Sequence, residues 1–127
     1  MIRPGLARRL ILAAGFAVAL ATFAIADMDR PDADLGQWLF LSGLALFAFL
    51  PYGVLALATR TGPAWVALLA ALAMSGLDLG ARIRVHWFPQ DAQDGLLLMF
   101  LPLWLLPASL LLWIALVAVR GWRARQR

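Results

Sequence analysis

The sequence predicts an all-α integral membrane fold, four transmembrane helices in an antiparallel up-down bundle, with the N- and C-termini both cytoplasmic. Three observations predict it. Of 127 residues, 64% are hydrophobic and 14% charged, too little polar surface to cover the core of a water-soluble domain of this size. Four uncharged runs, 10–26, 35–59, 61–77 and 95–119, are 17 to 25 residues long, and about 20 residues of helix cross a hydrocarbon core of ~30 Å. Once the runs are drawn as crossings, charge sorts across them. Asp27, Asp29, Asp32, Asp34, Asp78, Asp91 and Asp94 fall on one side, and Arg3, Arg8, Arg9, Arg60, Arg120, Arg123, Arg125 and Arg127 on the other.

Only helices or closed barrels satisfy the backbone in lipid, and the runs lack the alternating polarity of barrel strands. Residues 1–127 therefore read as a single domain with helices at about 9–26, 35–59, 63–84 and 95–119. The arginine-rich side is cytoplasmic by the positive-inside rule, which is strongest for short loops. Only Arg30, Arg82 and Arg84 lie on the outer side. Trp38 and Trp87 near the outer boundary, and Trp65 and Trp122 near the inner one, suit the aromatic belts. Arg120, Arg123 and Arg125 complete the inner set of interface anchors. Trp104 and Trp113 lie within helix 4, where they are expected to pack against neighbouring helices or a partner.

Helix 1 repeats small residues every four positions: Ala13, Ala17 and Ala21, and Gly15 and Ala19. Such faces let helices approach closely in lipid. Arg8 and Arg9, an apolar stretch and Ala24-Ile25-Ala26 also resemble a signal peptide with its cleavage site; retention is preferred, because the apolar stretch is at the upper limit of length for one. Asp34 followed by Gln37 predicts a capping box that opens helix 2. Pro51-Tyr52-Gly53 should interrupt that helix toward its cytoplasmic end. The tight turn from Arg60 to Pro63 makes helices 2 and 3 antiparallel neighbours, with Pro63 in the first turn of helix 3. Gly76 and Gly80 form a GxxxG motif with Asp78 at its centre. Asp94 is expected to cap helix 4, which Pro102 and Pro107 should bend.

Asp78 is the sharpest functional candidate. If helix 3 enters the hydrocarbon near Ala64, Asp78 lies fourteen residues on, roughly 21 Å along the axis and about 9 Å short of the outer boundary. Ionisable groups at such depth are expensive and mark functional sites by default. Arg82, one turn further, can pair with it, and a structural pair near the headgroups is the plainer account. Beyond Leu79 polarity alternates. If the segment is helical, Asp78, Arg82 and His86 form one stripe; if extended, Arg82, Arg84 and His86 share an edge. Asp78, Arg82, Arg84 and His86 are together the candidate polar cluster. A lone histidine without cysteines is a poor zinc site, and the first-loop aspartates lack the glycine and distal glutamate of a calcium loop, so no metal and no cofactor are expected.

The absence of Cys excludes disulfides, thiolate metal sites and thiol catalysis. The net charge of +4 is juxtamembrane and carries no nucleic-acid signal. Every acidic side chain is Asp and every basic one other than His86 is Arg; with Ala and Leu richness, this suggests a GC-rich bacterial genome and so a bacterial inner membrane. No nucleophile–base pair, phosphate-binding glycine loop or paired-histidine motif is present. The leading reading is a structural or accessory subunit that packs in a larger membrane assembly or a homo-oligomer, with the lipid bilayer and a membrane protein as partners. An alternative is a small oligomeric transporter or channel using Asp78 and Arg82. A second is a membrane enzyme with an outer-face site around His86, Asp91 and Asp94.

Overall fold

The computed structural model describes residues 2–26, 32, 34–88, 90 and 93–127, with the backbone alone at 94 and 95. It has four helices, α1 (Pro4–Ile25), α2 (Leu35–Ala58), α3 (Ala64–Trp87) and α4 (Asp94–Arg125). Among the described residues there is no strand. Each helix is long and apolar enough to cross a membrane.

The helix ends follow local chemistry. Pro4 opens α1 five residues earlier than expected: Arg3 is extended, and a proline at the first helical position is preset for the helix and lacks only an N–H that would go unused. Asp34 caps α2 as expected: its Oδ1 accepts the Gln37 backbone N–H at 2.8 Å, and Gln37 Oε1 accepts the Asp34 N–H at 3.3 Å. α3 runs to Trp87 rather than 84, so the alternating segment is helical. It stops at Phe88, whose φ of −131° and ψ of 53° leave the helical region. Pro89 follows it in sequence, and the residue before a proline is disfavoured there. Pro63 stands just before α3 rather than inside its first turn. Asp94 is the first residue of α4 and not its cap, a place taken by Gln93 without a side-chain cap bond. α4 continues six residues past the expected end, to Arg125; arginine and alanine are strong helix formers, and cations suit a helix C-terminus. Both α2 and α4 run through their prolines.

Helix α1 packs against both α2 and α3. Its buried face is Ala7, Ile11, Gly15, Val18 and Thr22, spaced by three and four residues so that all point one way. Both α2 and α3 pack along it, α2 also packs along α4, and α1 and α4 do not meet among the described residues. Although a short turn joins α2 to α3, these two helices meet each other less than each meets α1. The two are neighbours, as the short turn requires, but α1 lies along the flanks of both and takes most of the contact. At Gly15 a Cβ would lie 2.6 Å from Tyr52 Cβ and 2.9 Å from a Phe49 ring carbon. Ala13 and Ala17 are exposed, so that small-residue stripe is not the contact face. Gly76 and Gly80 are likewise exposed, with open space where a side chain would begin.

The turn between α2 and α3 is fastened in two ways. Thr59 Oγ1 donates to the Ala56 carbonyl at 2.7 Å and Thr61 Oγ1 to the Ala58 carbonyl at 3.2 Å, satisfying carbonyls at the end of α2. Gly62 presses on α4, where a Cβ would sit 2.9 Å from Leu116 Cβ. No described glycine has positive φ, so Gly15 and Gly62 are needed for room and not for backbone freedom.

Gly15→Ala is expected to lower stability by about 1–3 kcal/mol through overpacking against Tyr52 and Phe49. Gly43→Ala, where nothing lies within 4 Å of the new carbon, should leave it unchanged or slightly raised. Unfolding midpoints of the two variants in one detergent check this; equal midpoints would refute the close approach at Gly15.

Candidate functional site

The core face of α3 begins with small and apolar residues, Ala64, Ala67, Leu68 and Ala71, and ends with two charges, Asp78 and Arg82. All lie on one side of the helix because their spacings are multiples of about 3.6 residues. Packing this face against α1 therefore takes a carboxylate and a guanidinium into the interior. Asp78 is 0% exposed and Arg82 1%.

Arg82 Nε donates to Asp78 Oδ1 at 2.8 Å, and Arg82 Nη1 donates to Thr22 Oγ1 of α1 at 2.6 Å. Thr22 in turn donates its hydroxyl to the Val18 carbonyl at 3.2 Å. The hydroxyl thus accepts from the guanidinium and gives its proton to its own helix, so the pair is tied across from α3 to α1. Tyr52 of α2, fully buried, is close enough to feel both charges. Three atoms of this group, Asp78 Oδ2, Arg82 Nη2 and the Tyr52 hydroxyl, are buried without a hydrogen-bond partner. An acceptor and two donors are thus buried without a partner from the protein, each at a cost of ~1–3 kcal/mol when unmatched.

The ion pair is monodentate and has no net charge. The carboxylate accepts from its neighbour on the same helix, and neither group reaches the surface. Breaking such a pair by removing one member leaves a buried charge without compensation, which is far more damaging than replacing both.

The structure divides the four residues of the expected cluster. Asp78 and Arg82 are brought together inside. Arg84 is exposed and donates through Nη2 to Gln90 Oε1 at 2.9 Å. His86 is exposed and meets Trp87 edge-on, with ring centroids 4.7 Å apart. The helical stripe from Asp78 to His86 exists, but its last member stands clear of the core. Of the acids placed with His86 in the enzyme reading, Asp91 and the side chain of Asp94 lie outside the described residues, as do Asp27 and Asp29 of the first loop. Asp32 and Asp34 are exposed. Among the described residues no group of three His, Cys, Asp or Glu could hold a metal ion.

Trp38, Trp65, Trp87 and Trp122 are exposed near helix ends, and Trp38 stacks on Phe23 at 6.3 Å between ring centroids. Arg120, Arg123 and Arg125 are exposed on the last turns of α4. Of the two tryptophans within α4, Trp113 packs on the core with its indole N–H buried and unpartnered. Trp104 faces outward, 75% exposed. The partnership that sequence reasoning missed is Thr22 with Arg82. The residues are sixty positions apart, and no spacing signals such a contact; the only sign was a lone hydroxyl on the face of α1 that carries Gly15.

Comparison with protein-family models, with curated proteins and with solved structures finds no match for this chain.

Arg82→Met should cost about 3–5 kcal/mol of stability by stranding the Asp78 carboxylate. Asp78→Leu combined with Arg82→Met should recover most of that loss. Unfolding midpoints of the single and double variants decide the matter; a double variant no better than the single would show that the pair does not hold α3 in place.

Proposed function

We propose that this chain is a small multi-pass protein of a bacterial inner membrane, with four crossings and both termini in the cytoplasm. On this reading it serves as a structural or accessory subunit, packed in a larger membrane assembly or against copies of itself. The observation that carries the subunit role is the contrast between its inside and its outside. The two buried charges bond to each other and, through Arg82, to Thr22, with no exposed surface through which to act on a solute. The outer face of α4 is apolar and bulky, with Phe100, Leu103, Trp104, Leu111 and Ile114 all exposed.

Trp104 argues for a protein neighbour in particular. It lies ten residues, about 15 Å, from the start of α4, whereas tryptophan facing lipid favours the headgroup belts. Within a span, an indole is better accommodated where another helix packs on it and its N–H finds a partner. The orientation is supported by the eight arginines that share one side and by the short loops. The contact of Arg120 with the Arg60 carbonyl fits it, since it joins the turn and the end of α4 assigned to that side. The bacterial assignment rests on a composition without Lys or Glu.

Two measurements test the reading. Extracted from its own membrane in mild detergent, the chain should migrate as an oligomer or with a stable membrane-protein partner when its mass is measured by light scattering; a lone monomer with nothing co-purifying would overturn the subunit role. A reporter enzyme active only outside the cytoplasm should work when fused after residues 30 or 92 and stay silent after 61 or 127. The reverse pattern would overturn the orientation.

A further inference from the structure

A second feature lies at the end of the bundle where the α2–α3 turn meets the last turns of α4. An open cleft of about 630 Å³ is lined by Arg60 of the turn and by Arg120, Arg123 and Arg127 at the end of the chain. Its remaining wall includes Leu116, Val119 and Pro63, and no aspartate lines it. We propose that this cleft binds the phosphate of an anionic phospholipid, with the guanidinium groups on the headgroup and the Leu116–Val119 wall along the start of an acyl chain.

Arg60 and the α4 arginines are sixty residues apart in sequence, and the fold draws them together. Two contacts fix the juxtaposition: Arg120 Nη1 donates to the Arg60 carbonyl at 3.3 Å, and Gly62 sits so close to Leu116 that even a methyl group would not fit. Gathering cations around one cleft is unfavourable unless an anion joins them. Guanidinium groups suit a phosphate best, because their planar forks match its oxygens. A free phosphate would have no use for the apolar wall, whereas a lipid carries both an anionic head and a chain. The position also fits. α4 has 32 residues, about 48 Å of helix, so its last turns project beyond a ~30 Å hydrocarbon core into the headgroups, where basic residues gain from anionic lipid.

The proposal rests on the reading of this chain as a membrane protein, and the test separates the two. The full chain is purified in mild detergent, freed of bound lipid, and titrated with phosphatidylglycerol or with phosphatidylcholine, counting retained lipids by native mass spectrometry; insertion is scored in parallel by flotation with vesicles of each lipid. The chain should bind phosphatidylglycerol on the order of 100-fold more tightly than a variant carrying Arg60→Gln, Arg120→Gln and Arg123→Gln. A variant with Arg3→Gln, Arg8→Gln and Arg9→Gln loses the same charge outside the cleft and should bind within a few-fold of the parent. Equal losses in the two variants would overturn the cleft, as would equal affinity of the parent for the two lipids. Displacement of the lipid by inorganic phosphate at comparable concentration would also overturn it, by showing a site for a free anion. A chain that floats with neither vesicle fails the membrane reading itself, whereas one that floats with both yet shows no lipid preference overturns only the cleft. The comparison of the two lipids on the parent chain needs no variant and stands if the triple substitution misfolds.

Discussion

A guanidinium and a carboxylate share the interior of a bundle whose other buried side chains are almost all apolar, and their bonds tie α3 to α1. Neither charge tolerates burial alone. Arg82 therefore spends one N–H on Asp78 and another on Thr22, and the second bond sets where α1 must lie against α3. The hydroxyl of Thr22 accepts that bond while donating its own to the Val18 carbonyl. Tyr52 of α2 is fully buried, packed where α1 has Gly15. Two helices are thus tied at a single pair of charges, and dispersion forces between apolar side chains fill the remaining length. In lipid, with little hydrophobic force between helices, polar contacts and close packing are what select one arrangement over another.

Close packing is supplied at two points by the absence of a side chain. Gly15 lets α1 settle onto Tyr52 and Phe49, and Gly62 lets the α2–α3 turn settle onto Leu116. The first contact sets the depth of α1 against α2, on the helix that also presents Thr22 to Arg82. The second draws the turn against the end of α4 and, with it, Arg60 toward Arg120. The two glycines therefore act at a distance from themselves, one toward the buried charges and the other toward the basic cleft.

Much of the fold was legible in the chain. Four apolar runs gave four helices, and the pairing of Asp34 with Gln37 gave a capping box that the structure contains. The Asp78–Arg82 bond was also legible, because four residues on a helix make one turn. What escaped were matters of three-dimensional juxtaposition. Ala13, Ala17 and Ala21 looked as good a packing stripe as Gly15 and Ala19, yet the buried face runs through Gly15, where a Cβ would lie 2.6 Å from Tyr52 Cβ. Gly76 and Gly80 match a packing motif and face outward. The short turn made α2 and α3 neighbours, which they are, but loop length limits only the ends of helices, and it gave no sign that α1 takes the space along their flanks. His86 continued a helical stripe that the bundle does not extend far enough to cover. Contacts between residues sixty positions apart, Thr22 with Arg82 and Arg60 with Arg120, leave no periodic trace.

The four-residue spacing of Asp78 and Arg82 has a consequence for biosynthesis. A charged partner on α4 would be absent while α3 is being made, and each bare charge would raise the cost of leaving the translocation channel by ~2.5–3.5 kcal/mol. A partner one turn away on the same helix is present as soon as that turn forms, so α3 can enter the bilayer already neutralised. Thr22, borne on α1, has been synthesised earlier and needs only to be met. On the proposed membrane reading, the strongest polar bond of this fold can therefore close within a single segment, and the contact between helices is left as the later and cheaper step of assembly.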